Sequence, residues 1–266
     1  MYDFTYEKPA TVADAVKLLG TDDSAKALAG GMTFIPVLKQ RLNQPSMVVD
    51  LSKTGMVSII IVSGKLTIGA MTTHGAVAQS PEIQEKFHGL SEMAGWIGDT
   101  QVRNRGTMGG SLANNDPSAC YPAAALATGA TIVTERRRIA AADYFQGMFT
   151  TALEPGEIIT SIEFPIPEKS AYEKFRNPAS RYAMVGVFVA KYGTDVRVAI
   201  TGASQGGVFR HTAMEKALSA NFSPDAIAGI VTPATDLNSD IHASAPYRAH
   251  LIGVMAKRAV AKALTP

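Results

Sequence analysis

The sequence has one cysteine, Cys120, among 266 residues. That count excludes an internal disulfide and any iron–sulfur or zinc cluster held by cysteines of this chain. No run of about 18 uncharged apolar residues is present, so no segment reads as a membrane-spanning helix. Charge of one sign is also missing. The 25 Lys and Arg nearly cancel the 23 Asp and Glu, and no global field points to nucleic acid or an anionic membrane. One dense basic cluster, ERRRIAAAD at residues 135–143, reads as a solvated hairpin or helix edge, with anion binding as the alternative. The five histidines (His74, His88, His211, His242, His250) show no HExxH or other close pairing, which argues against zinc. The first twenty residues lack a basic stretch followed by an apolar core, so no secretory signal is read there and a reducing cytoplasm is expected. Neither GxGxxG opening a βαβ unit nor GxxxxGK[ST] occurs, which disfavours a Rossmann site and a P-loop.

What is present is a globular composition, 46% apolar and 18% charged, with ample material for a core. Residues 2–11 read as a short strand closed by Pro9. TVADAVKLLG follows as a helix with Thr11 as its cap, Asp14 in its first turn and Gly20 as its stop. AKALAGG is a strand entering a glycine turn, TFIPVLKQRL a helix with Pro36 near its first turn, and MVVDLS a strand. These form a small α/β unit over residues 1–53. A hairpin turning at Ser63-Gly64 comes next, then helical periods over 73–78 and 89–97, a glycine-rich loop, an alanine-rich helix leading into a strand, and a strand ended by two prolines. Past Pro167 three successive strands predict an antiparallel meander. TAMEKALSA, SPDAIAGIV and a long amphipathic final helix then predict an α+β end. One apolar stripe of that helix must pack on the sheet, and the remainder is open to a neighbour.

Two segments concentrate bare backbone and hydrogen-bond donors. In AGGMT, Gly30 and Gly31 admit positive φ and close approach of a ligand, amides beside a helix start attract phosphate, and Thr33 adds a hydroxyl. RGTMGGSLANNDP repeats the devices with Gly106, Gly109 and Gly110, the hydroxyls of Thr107 and Ser111, and the amides of Asn114 and Asn115. Either alone reads as an ordinary tight turn. Together they predict two walls of one pyrophosphate cleft.

With AGGMTFIPVLKQRL, TIGAMTTH, IGDTQVRNRGTMGGSLANNDPSACYPAA, LEPGEIITSIEFP and DIHASAPYRAHLIGVMAKRAV in this order, the chain resembles, over its whole length, the FAD-binding medium subunit of molybdenum hydroxylases, the carbon monoxide dehydrogenase and xanthine dehydrogenase flavoprotein family. The resemblance implies an α+β fold: a two-subdomain FAD domain of the vanillyl-alcohol oxidase/p-cresol methylhydroxylase type (1–54 and 55–166) and a C-terminal flavoprotein domain (167–266). It implies FAD contacts at Ala29, Gly30, Gly31, Met32 and Thr33, flanked by Ala27, Leu28 and Phe34. A second set falls on Thr107, Met108, Gly109, Gly110 and Ser111. Ile97 and Ile159 correspond to hydrophobic contacts, Lys174 to a lysine that approaches the flavin, and Tyr182 to an aromatic against the isoalloxazine. Without the family, Lys174 reads as a surface cation, Tyr182 as core or site alike, and the two isoleucines and Trp96 as packing.

By the same resemblance this chain is an oxidoreductase subunit. It would receive electrons from two 2Fe-2S clusters in a small subunit and pass them to an external acceptor, with a molybdopterin cofactor in a large subunit and assembly as a dimer of heterotrimers. There is one departure. Many relatives have an aspartate just before YP that contacts the adenosine end. Here Cys120 stands in that place, a poor hydrogen-bond acceptor, with Asp116 as a possible replacement. Arg103 and Arg105 are read equally as phosphate or partner contacts and as exposed cations. A self-sufficient flavin oxidase is the alternative function, and an assembly subunit without FAD a third. No nucleophile–base pair or paired carboxylates emerge from the sequence.

Overall fold

The structure is a computed structural model describing residues 1–265. The N-terminal unit comprises β1 (Thr5–Glu7), α1 (Val12–Leu19), β2 (Lys26–Leu28), α2 (Phe34–Lys39) and β3 (Met47–Asp50). Its sheet is parallel in the order β1-β3-β2. Helix α1 starts where expected, because the Thr11 hydroxyl accepts from Asp14 N–H and relieves one of the donors a helix start leaves unpaired. Its Ala15 and Leu19 pack with Val49 and Leu51 in a small core of their own.

The central unit opens with the hairpin β4 (Ile59–Val62) and β5 (Lys65–Gly69). Six helices follow: α3 (His74–Gln79), α4 (Pro81–Lys86), α5 (His88–Gly95), α6 (Thr100–Arg105), α7 (Met108–Asn114) and α8 (Tyr121–Thr128). Then come β6 (Thr131–Thr134), β7 (Arg138–Ala140), α9 (Ala141–Tyr144), the small hairpin β8 (Phe145–Gly147) and β9 (Thr150–Thr151), and β10 (Ile159–Pro165). The five-stranded sheet has the order β4-β5-β10-β6-β7, so β10 returns to fill the gap between two hairpins. Alternation along the strands turns Leu66, Ile68, Ile162 and Phe164 inward, all fully buried. Each such side chain contributes roughly 1.5–3 kcal/mol through burial. The basic cluster is the β6–β7 turn. Its Arg137 pairs with Glu157, whose carboxyl that guanidinium holds down at about 2.

The remaining strands are β11 (Lys169–Arg176), β12 (Ala183–Tyr192), β13 (Asp195–Thr201) and β14 (Phe209–Arg210), one antiparallel sheet in sequence order. Helices α10 (Thr212–Ala220) and α11 (Ala245–Leu264) complete the chain. Strand β12 is buried on both faces. Val185, Val187 and Val189 meet α11, while Phe188 and Ala190 join the core of the central unit, so one sheet belongs to two cores. No helix among the described residues is long and apolar enough to cross a membrane.

Two readings are corrected. The expected glycine-rich loop over residues 101–117 is mostly the two short helices α6 and α7. The side chains of Asp99 and Thr107 cap them, and local caps outweigh the low helix propensity of Gly109 and Gly110. SPDAIAGIV forms only a short 3-10 turn over Pro224–Ile227.

Candidate functional site

A cavity of about 610 Å³ lies where the three larger sheets meet, well within the usual range for small-molecule sites. Both glycine segments line it. Strand β2 ends at Leu28, and Gly31, at φ +76°, turns the chain into α2. Gly30 sits where the two segments touch. A Cβ there would stand 2.0 Å from the Arg105 carbonyl oxygen and 2.8 Å from Gly106 Cα. The main-chain N–H groups of Gly30, Gly31, Met32 and Thr33 donate to no protein acceptor among the described residues. Unpaired donors at one turn demand a ligand or water, since backbone polar groups are otherwise satisfied. Thr33, Ser111 and Asn114 add hydroxyl and amide groups to the same walls.

The second segment contributes differently from the sequence expectation. Its amides are already committed: Met108 N–H to Thr72 O at 3.0 Å, Gly109 N–H to Ala70 O at 2.9 Å and Gly110 N–H to Thr107 Oγ1 at 3.1 Å. Met108 is fully buried with its side chain in the main core, so it faces away from the cavity. Asn115 is occupied too. In the left-handed region at φ +42°, its side-chain amide donates to Gly147 O and Thr150 O and ties down the β8–β9 hairpin. The segment therefore supplies shape, through Gly109 and Gly110, and the side chains of Ser111 and Asn114.

At one end the cavity is walled by Ile97, Cys120, Lys174, Arg181 and Tyr182. Lys174 is not a surface cation. It is 8% exposed, and its ammonium donates to Trp96 O at 2.8 Å, Arg181 O at 2.9 Å and Cys120 Sγ at 3.6 Å. No carboxylate pairs with it, so an uncompensated cation stands at the cavity wall. The position at which many relatives have an aspartate thus adjoins Lys174, with the Cys120 thiol beside its ammonium. Tyr182 is half exposed rather than core, and Ile159 also borders the cavity. Asp116 lines it as well, and burial raises its carboxyl above the ordinary range. Arg103 is spent on Ile97 O and Gly98 O, and neither it nor Arg105 lines the cavity through its side chain.

His74 was missed by sequence reasoning. It is the first residue of α3 after the capping Thr73, packs at a tilt against Tyr121 with ring centres 5.3 Å apart and lies against Gly106 under the second segment. Burial, with help from the Arg103 charge, pushes its pKa down to about 4, so it borders the cavity as a neutral imidazole. The TTH triplet held the signal: a histidine one residue past a cap.

Four free N–H groups, hydroxyls and an amide, with the bare approach at Gly30, fit the phosphate oxygens of a dinucleotide. The apolar walls of Phe34, Val37, Ile97 and Ile159 fit its ring systems.

Comparison with known proteins agrees with this chemistry. Residues 2–167 match the model for the FAD binding domain in molybdopterin dehydrogenase. The chain is 35% identical over 273 residues to the nicotine 6-hydroxylase medium subunit of Paenarthrobacter nicotinovorans, covering 97% of this chain and 96% of that one. It is 36% identical over 282 residues to the carbon monoxide dehydrogenase medium chain of Afipia carboxidovorans, covering 98% and 96%. Among solved structures, it superposes on a chain of reconstituted CO dehydrogenase from Oligotropha carboxidovorans with a TM-score of 0.89, 33% identity and 98% of both chains covered. Quinoline 2-oxidoreductase from Pseudomonas putida 86 gives 0.88 at 28% identity, covering 98% and 97%.

Proposed function

Because the chain belongs to the family defined by the FAD binding domain in molybdopterin dehydrogenase, we propose that it is the flavin-carrying, electron-relaying medium subunit of a molybdenum hydroxylase. Electrons would arrive from two 2Fe-2S clusters of a small subunit and leave to an external acceptor. The molybdopterin-bearing large subunit would hold the hydroxylated substrate, and the assembly would be a cytoplasmic dimer of heterotrimers. The observation that carries the reading is the row of unpaired N–H donors from Gly30 to Thr33, facing Ser111 and Asn114 across one cavity. We read residues 1–54 and 55–166 as the two parts of a vanillyl-alcohol oxidase-type FAD domain, and 167–266 as the C-terminal domain. The three larger sheets, one in each part, support that division.

Bound FAD supplies the redox chemistry. The protein's residues hold and bias it. Residues Ala29–Thr33 and Ser111 would grip the diphosphate, with Thr107, Gly109 and Gly110 setting the wall opposite. Lys174, buried at the cavity wall, would set a cation beside the bound flavin and stabilise the negative charge that reduction puts on it, in a partly desolvated site that strengthens its field. Ile97 and Ile159 exclude water there, and half-exposed Tyr182 leaves one side of the cavity reachable from outside.

Affinity purification of the tagged chain from its native host tests this reading. Two further chains should co-purify, one with molybdopterin and one with iron–sulfur clusters, with one FAD per tagged chain. A tagged chain recovered alone, whose flavin is reduced directly by small alcohols or phenols, contradicts it.

A further inference from the structure

The C-terminal helix reaches the flavin end of the cavity from outside. Lys262, in the last turn of α11, places its ammonium 4.5 Å from the centre of the Trp96 ring. Glu92 of α5 and Glu173 of β11 hold it there, the latter at 3.0 Å. Burial works against this charge, but the two carboxylates prevail and raise its pKa, so it remains a cation. Trp96 is thus held between Lys262 and Tyr172, whose ring centre lies 6.4 Å away on the buried side.

The segment that Trp96 begins forms part of the cavity. Trp96 O accepts from Lys174 at 2.8 Å, Ile97 lines the cavity, and Gly98 O accepts from Arg103 and Arg181. Strand β11 doubles the connection. Glu173 meets Lys262 on one face, and the next residue, Lys174, enters the cavity on the other.

From this geometry we infer that Lys262 is a positioning residue for the cofactor. By pinning the indole and Glu173 it fixes residues 96–98 and, through the Trp96 carbonyl, the Lys174 ammonium. The inference rests on the flavin reading of the cavity. It adds that the final helix sets the precision of that end, not only the stability of the sheet it covers. A partner that touched the last turn of α11 would thereby reach the redox site without entering it.

Trp96 is the sole tryptophan, so emission excited selectively in tryptophan reports the surroundings of this one indole. In Lys262→Met the cation leaves the indole face. Emission should shift in the FAD-free chain, and the dissociation constant for FAD should rise about tenfold, the effect of one partly desolvated cation–π and ion-pair contact. Lys262→Arg keeps a cation over the ring and should restore both values. Arg258→Met, on the exposed side of the same helix, should leave both unchanged. Unaltered emission overturns the inference, and so does altered emission with unaltered FAD affinity. A lower melting temperature with unchanged affinity marks Lys262 as structural only, and equally overturns it. If the wild-type chain takes no FAD, the flavin reading fails, while emission still reports the Lys262–Trp96 contact.

Discussion

Gly30→Val should give a folded but colourless chain. A Cβ at this position would lie 2.0 Å from Arg105 O, 2.7 Å from Arg105 C and 2.8 Å from Gly106 Cα, all backbone atoms that no rotamer change can clear. The two segments must separate, and the N–H groups of residues 30–33 no longer converge with Ser111. The three cores are built from other residues, so the change should spare the fold. We expect FAD affinity to drop at least about a hundredfold, equivalent to roughly 2.8 kcal/mol. Flavin fluorescence titration gives the affinity, and circular dichroism melting separates loss of the site from loss of the fold. A variant that still bound FAD stoichiometrically and tightly would show that contact between the segments does not shape the site.

Replacing Lys174 should act on redox behaviour and stability together. Lys174→Met removes the cation and also leaves Trp96 O and Arg181 O without their donor, a cost of about 1–3 kcal/mol for each acceptor that stays buried. Lys174→Gln keeps one donor without the charge and isolates the electrostatic part. In both, the two-electron midpoint potential should move negative by about 30–60 mV, since 30 mV corresponds to roughly 1.4 kcal/mol for such a couple. Potentiometric titration of the FAD-loaded chain measures the shift. Midpoint potential and FAD affinity both unchanged in Lys174→Met would remove Lys174 from the account.

Much of the architecture was legible in the chain because local signals agreed. The cap at Thr11, the Ser63-Gly64 turn and the β-branched runs of the last sheet each specify structure within a few residues of themselves. What escaped depends on distant contacts. Nothing in residues 159–165 announces that they insert between β5 and β6. Residues 100–114 look like a loop because propensity disfavours glycine in helices, yet two side-chain caps settle the matter. Cys120 and Lys174 lie 54 positions apart, and only the packing of β11 against the start of α8 places the thiol beside the ammonium. Met108 carried a motif position but not a cavity position, since motif spacing does not specify which way a side chain points.

The central claim is that residues 27–34 and 106–111 close on a single FAD. Backbone hydrogen exchange of the FAD-free chain, repeated with saturating FAD, tests it most directly. The account predicts slowed exchange in both segments together, strongest at the N–H groups of Gly30 to Thr33, with one FAD taken up per chain. Exchange left unchanged there, or slowed in one segment only while FAD binds, would contradict it.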